Sequence, residues 1–261
     1  MIAGAPVKRL LLCNDDGIHA GGLQALMEAV SDLAEVWVVA PEQEQSATSH
    51  SLSLHHPLRI RPLGERRFAV DGTPADCVYV AVNHLMKEGR PDLVLSGINH
   101  GPNLADDVIY SGTVAAAMEG SLLNVPSVAF SLVARRSFEF EHAARFARAL
   151  VAAALQRELP RRLLLNVNVP GQRAPLGYQV TRLGQHRYGA DVVEKVDPRG
   201  RPYYWIGGTG YEHVPEKGTD VTAVLDEGMV SVTPIKLDLT DGAGLDAVRG
   251  WALQGFELSP T

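Results

Sequence analysis

The sequence predicts an α/β fold, a mainly parallel sheet with helices on both faces followed by a C-terminal β-rich extension. Three observations predict it. Short runs rich in Leu, Val and Trp alternate with stretches of helical spacing as far as about residue 170. Long polar segments follow three of those runs, and after Pro170 the rhythm changes to short β-like pieces among many glycines.

Residues 8–13 and 35–40 are apolar runs closed by polar or Gly/Pro residues, as in strands buried on both faces. Between them, Leu23, Leu26, Met27 and Val30 give residues 23–33 helical spacing, which completes a β-α-β unit. Thr73-Pro74 opens a helix with a capping residue and a proline at the first helical position, and its apolar side continues through Val78, Val82 and Leu85. Residues 92–96 form the next strand. Residues 112–123 are small and apolar enough for a helix packed closely on a sheet, and 125–130 are again a strand. An amphipathic helix over 141–155 and a strand over 163–169 continue the alternation. Beyond Pro170 the β-like pieces are 178–183, 201–206 and 229–233. Tyr203-Tyr204-Trp205 suits equally a core segment or a projecting hairpin that buries itself in a partner subunit.

One domain is expected over residues 1–261, with a core of about 7–170 and 216–240, an extension of about 178–215 and a tail of 241–261. A chain of this length buries roughly 70–75% of its unfolded surface. Its 46% hydrophobic and 21% charged residues are those of an ordinary globular protein. Cys13 and Cys77 lie in apolar segments without CxxC spacing, so they read as reduced, buried thiols of a cytoplasmic protein. Lys8 and Arg9 interrupt the N-terminal apolar stretch before it reaches the length of a signal-peptide core. No segment reaches the roughly 20 apolar residues that cross a bilayer, so no membrane partner is expected. A net charge of −6 argues against a binder of nucleic acid polymers. A nucleotide ligand would have to be met by a local site holding a cation.

In open parallel sheets, ligands bind beyond the carboxyl ends of the strands. That rule selects NDDGIHAGG from Asn14, PEQEQSATSHS from Pro41 and GINHGPNLADDVIYSGT from Gly97. Asp15 and Asp16 are adjacent carboxylates; two such charges ~4 Å apart at an effective dielectric of ~20 repel by about 4 kcal/mol, which a cation would relieve. The alternative is one helix cap and one solvated side chain. Mg²⁺ and Mn²⁺ prefer oxygen donors, and Ser46 and Asn99 are candidates for a hydroxyl and an amide oxygen. Either type is commonly a turn residue, and Ser46 stands among Thr48, Ser49, Ser51 and Ser53, so composition leaves the choice of hydroxyl open.

Tyr110-Ser111-Gly112-Thr113 precedes the Ala-rich helix, where side chains and free N–H groups serve either to bind a phosphate or to cap the helix. With neither GxxxxGK[ST] nor a GxGxxG after a strand, a single phosphate is the expected group. Of the nine histidines, His19 and His100 flank the proposed site, while His55-His56, His84 and His142 lack ligand spacing.

LLLCNDDGIHAGGL, the segment from Pro41 to Ser46, VDGTPADCV, DLVLSGINHGPN, YSGTVAAAMEG, LLNVNVP and TDVTAVLDEGMVSVTP follow one another across nearly the whole chain. Together they resemble the SurE family. The resemblance implies a Rossmann-like core and one divalent metal ion per subunit, Mg²⁺ or Mn²⁺. It also implies 5′- and 3′-nucleotidase activity on nucleoside monophosphates, and the sequence leaves open whether short polyphosphate is cleaved as well. The same resemblance implies a cytoplasmic homodimer or tetramer that exchanges C-terminal elements. By the family's pattern the metal ligands fall on Asp15, Asp16, Ser46 and Asn99, and Asn103, Ser111, Gly112 and Thr113 surround the phosphate. Three positions depart from it: Ala47 and Ala115 stand where glycine is usual, and Gly21 where proline is common.

Metal-assisted attack of water on phosphorus is the expected chemistry, with Asp15 or Asp16 accepting the proton. A receiver-like signalling module would need an acceptor aspartate where Ser-Gly-Ile-Asn stands, and an aspartyl-nucleophile phosphatase would space its two aspartates by one residue. A non-catalytic, Mg²⁺-dependent nucleotide or phosphate binder is separated from an enzyme only by assay.

Overall fold

The computed structural model describes residues 7–134, 137–188, 192–206 and 211–251. In chain order the elements begin β1 Arg9–Cys13, α1 Gly21–Val30, β2 Glu35–Pro41, β3 Ile60–Gly64, β4 Arg67–Val70 and α2 Pro74–Val80. They continue β5 Leu93–His100, α3 Gly112–Leu122, β6 Ser127–Val133, α4 Glu141–Leu155, β7 Leu164–Pro170 and β8 Tyr178–Val180. The last are β9 His186–Tyr188, β10 Val192–Val196, β11 Pro202–Ile206, β12 Tyr211–His213, α5 Asp220–Leu225, β13 Val230–Pro234 and α6 Gly242–Arg249.

Nine strands form one sheet in the order β3-β4-β2-β1-β5-β6-β7-β13-β8. From β4 to β7 all neighbours run parallel; β3 and β13 run antiparallel to β4 and β7, and β8 lies parallel to β13 at the far edge. Successive side chains of a strand face opposite ways, and β1 is apolar on both sides. Leu10 and Leu12 enter one core with Leu26 of α1 and Ala147 of α4; Leu11 and Cys13 enter the other with Val78 of α2 and Ala116 of α3. Each fully buried leucine contributes about 1.5–3 kcal/mol. α3 packs closely because its residues are small: a Cβ on Gly120 would fall 2.4 Å from Ser127 Oγ.

Most expected elements are present with shifted ends. α1 starts at Gly21 and stops at Val30, earlier than the predicted 23–33 at both ends. β5 runs on through His100 with a break in register between Ser96 and Asn99, so Asn99 is a strand residue paired with Ser131 and the loop begins after His100. The β3–β4 hairpin and α5 and α6 were not expected from the sequence. Tyr203, Tyr204 and Trp205 lie exposed on a two-stranded ribbon of β10 and β11, which is the projecting hairpin and not the core segment. Residues 189–191 and 207–210 of the expected extension, and 252–261 of the tail, lie outside the described residues.

Candidate active site

Beyond the carboxyl ends of β1, β2 and β5 lies a cleft of about 700 Å³, lined among others by Asp15, Asp16, Ser46, Asn99, Asn103 and Ser111. The sheet brings the three loops together because β2, β1 and β5 are neighbours.

Asp15 is only 5% exposed, and Thr113 donates its hydroxyl to Oδ1 of Asp15. Burial pushes the Asp15 carboxyl up to about 6; the Thr113 hydrogen bond opposes the rise and the neighbouring Asp16 charge adds to it. Asp16 accepts from the ring Nδ1 of His100 at 2.8 Å and from the His100 backbone N–H at 3.3 Å, both on Oδ2. Asn99 donates its Nδ2 to Gly101 O at 3.0 Å, which fixes the amide so that Oδ1 stands 3.3 Å from the Thr113 hydroxyl. The oxygens of Asp15 and Asn99 thus converge on one hydroxyl. Ser46 is exposed on the rim and donates to Glu44 Oε1 at 2.7 Å. Its loop is tied to the acidic pair by the Gln45 N–H on Asp15 O at 2.8 Å and to α3 by His50 Nε2 at 2.7 Å from Glu119 Oε2.

Ser111 caps α3, its hydroxyl accepting the Val114 N–H at 3.0 Å, so the capping role is realised at the cleft wall. Thr113 is fully buried and, with Gly112, lies behind Asp15 and not on the cleft lining. Asn103 is held from below: its carbonyl accepts from Asn166 Nδ2 at 2.7 Å and Asn168 Nδ2 at 2.9 Å, its N–H donates to Asn168 Oδ1 at 2.9 Å, and its Nδ2 donates to Ser131 Oγ at 2.8 Å. Asp220, fully buried, accepts from the N–H groups of Ala105, Gly184 and Val221 at 2.9, 2.7 and 2.8 Å, and burial raises its carboxyl above the ordinary value. These anchors were missed at the level of sequence. The two asparagines alternating in LLNVNVP, on a strand buried on both faces, were the available signal, because a buried amide must find partners.

The donor set suits a hard divalent cation. Two carboxylates, one buried beside the other's charge, line the cleft with an amide and a hydroxyl, an all-oxygen set of the kind that Mg²⁺ and Mn²⁺ prefer.

A family profile described as "Survival protein SurE" matches residues 10–190. The chain is similar to a protein of Myxococcus xanthus (strain DK1622) named "5'-nucleotidase SurE", 63% identical over 249 residues and covering 95% of each chain. A protein of the same name from Anaeromyxobacter sp. (strain Fw109-5) is 55% identical, covering 97% of this chain and 99% of the relative. The crystal structure of the Sure protein from Aquifex aeolicus is similar at a TM-score of 0.81 and 42% identity, covering 92% of this chain and 98% of that one.

Proposed function

Because the chain belongs to the survival protein SurE family, we propose that it is a metal-dependent phosphomonoesterase, a 5′-nucleotidase that releases phosphate from nucleoside monophosphates. The observation that carries this reading is the meeting, in one cleft, of a partly desolvated carboxylate pair with the N-terminus of α3. Hydrolysis of 3′-monophosphates and of short polyphosphate extends the same chemistry.

Asp15, Asp16, Asn99 and Ser46 would hold one Mg²⁺ or Mn²⁺ per subunit, and when bound such an ion polarises phosphoryl oxygens and acidifies water. The chain's own part is positional and electrostatic. Thr113 fixes Asp15 and donates nothing to the cleft, while Ser111, the N-cap of α3, lines the cleft where the positive end of the helix meets the negative charge of a phosphate. Asn103, braced by Asn166, Asn168 and Ser131, presents its side of the loop without needing to reorder. An Asp carboxylate accepts the proton of the attacking water. Direct attack by water, without a covalent intermediate, is the chemistry proposed.

The proposed assembly is a homodimer or tetramer exchanging C-terminal elements; Tyr203, Tyr204, Trp205 and Ile206 on β11, together with Trp251 beyond α6, offer exposed apolar area for it. The proposed location is the cytoplasm. Both cysteines are buried free thiols, and among the described residues no helix is long and apolar enough to cross a membrane.

Phosphate release from a panel of nucleoside monophosphates, after metal stripping and add-back, tests the reading. Activity should vanish with chelation and return with Mg²⁺ or Mn²⁺. Full turnover in excess EDTA would remove the metal from the mechanism, and absence of release from every nucleotide would leave a non-catalytic binder.

A further inference from the structure

His100 is the last residue of β5, and its ring is gripped from two sides. Phe138 and Phe140, on the approach to α4, each meet it edge-on with centroids 5.1 Å away and interplanar angles of 89° and 81°. The two phenyl rings are themselves nearly parallel, 6.3 Å apart. Held in this way, the imidazole sends Nδ1 to Oδ2 of Asp16 at 2.8 Å, and the His100 backbone N–H reaches the same oxygen at 3.3 Å. Asp16 lines the cleft, and among the described residues nothing hydrogen-bonds to its Oδ1. The partner carboxylate repeats the arrangement, with Thr113 on one oxygen of Asp15.

We propose that His100 is the positioning residue of Asp16: by pinning one carboxylate oxygen it stops rotation about the Cβ–Cγ bond and leaves the other oxygen preset for a divalent cation. The bond needs only a proton on Nδ1, which the neutral ring supplies, so no charge on the histidine is required. Groups that orient a ligating carboxylate typically contribute ~10–100-fold in metal affinity. The phenylalanine clamp makes the ring a rigid donor, since an edge-on aromatic pair restricts both ring position and tilt. The inference rests on the metal-dependent reading of the site above.

The experiment is Mn²⁺ binding to the metal-stripped full chain, followed by the free-ion electron paramagnetic resonance signal, with melting temperature recorded for every variant. His100→Asn places an amide N–H where Nδ1 stands, whereas His100→Leu has similar size without a donor, and His100→Phe retains the aromatic packing without a donor. His100→Leu and His100→Phe should both weaken Mn²⁺ binding by about 10–100-fold, and His100→Asn should restore most of the affinity. In turnover the donor-less variants should recover most of their kcat at saturating Mn²⁺, as expected for a lost binding geometry and not a lost reacting group. Wild-type affinity in the Leu or Phe variant overturns the proposal, and so does an Asn variant as weak as the Leu variant while equally folded. A wild-type chain that binds no Mn²⁺ overturns the metal reading itself, a result distinct from either.

Discussion

A Cβ atom on Gly112 would lie 2.7 Å from Cβ of Asp15 and 2.9 Å from its Oδ2. The first turn of α3 therefore sits directly against the buried carboxylate, and only glycine leaves the room. Gly112→Ala should displace Asp15 at an overpacking cost of about 1–3 kcal/mol in stability, and misplacing that carboxylate should lower kcat/KM by about tenfold or more. Steady-state kinetics with thermal melts check it; unchanged kinetics would mean that the position of Asp15 is unimportant to turnover.

Asp15→Asn and Asp16→Asn should each reduce phosphate release by about a hundredfold or more, because each removes one charge from the pair that holds the cation. The metal-free folds should be as stable as wild type or more so, since the repulsion between adjacent carboxylates is relieved. Loss of activity that only tracks unfolding in circular dichroism would make the pair structural.

The metal-free protein should lose stability as pH rises. The Asp15 carboxyl titrates at about 6 in the fold against 3.8 as its ordinary value, so the folded state holds a proton that the unfolded state has released. Below pH 3.8 both forms are protonated and no penalty exists; it grows through the interval and levels off above about pH 6, at roughly 3 kcal/mol. Chemical denaturation of the stripped protein at pH 5 and pH 7.5 should show the decline, and Asp15→Asn should abolish this part of it. A decline of equal size in that variant would assign it to other groups.

Ala47 stands at φ +57°, in the left-handed region, on the Ser46 loop. The alanine side chain there costs roughly 1–2 kcal/mol relative to glycine. Ala47→Gly should raise the melting temperature by about 2–8 °C. A lower melting temperature would mean that the loop gains more from the methyl group than it loses to the backbone.

The alternation of apolar runs with helical spacing made the central parallel sheet legible, because strands buried on both faces and small-residue helices leave strong local patterns. The β3–β4 hairpin left none. Arg61, Arg66 and Arg67 point to solvent or to carboxylates and to the Ile18 carbonyl, so its charges mask the alternation. Asp15 and Asp16 stood out from their loop, whereas Asn99 was picked out by the family resemblance, and the partners of all three left no local mark. Whether Thr113 faces a ligand or an aspartate depends on the rotation of α3 against β1, and the clamp of Phe138 and Phe140 on His100 joins residues nearly forty apart. Asp220 acts more than a hundred residues from Ala105, a link that no local window contains.

β13 lies between β7 and β8, so the strand that closes this side of the sheet is made near the end of the chain. During synthesis β7 must wait, its outer edge unpaired, while some sixty further residues emerge, and β8 has no place to dock until Val230–Pro234 arrives. An open, apolar edge of that kind is a template for pairing with the wrong chain. The nascent protein therefore carries its greatest aggregation hazard late in translation, and a stop codon anywhere between β8 and β13 should yield insoluble product and not a smaller working enzyme.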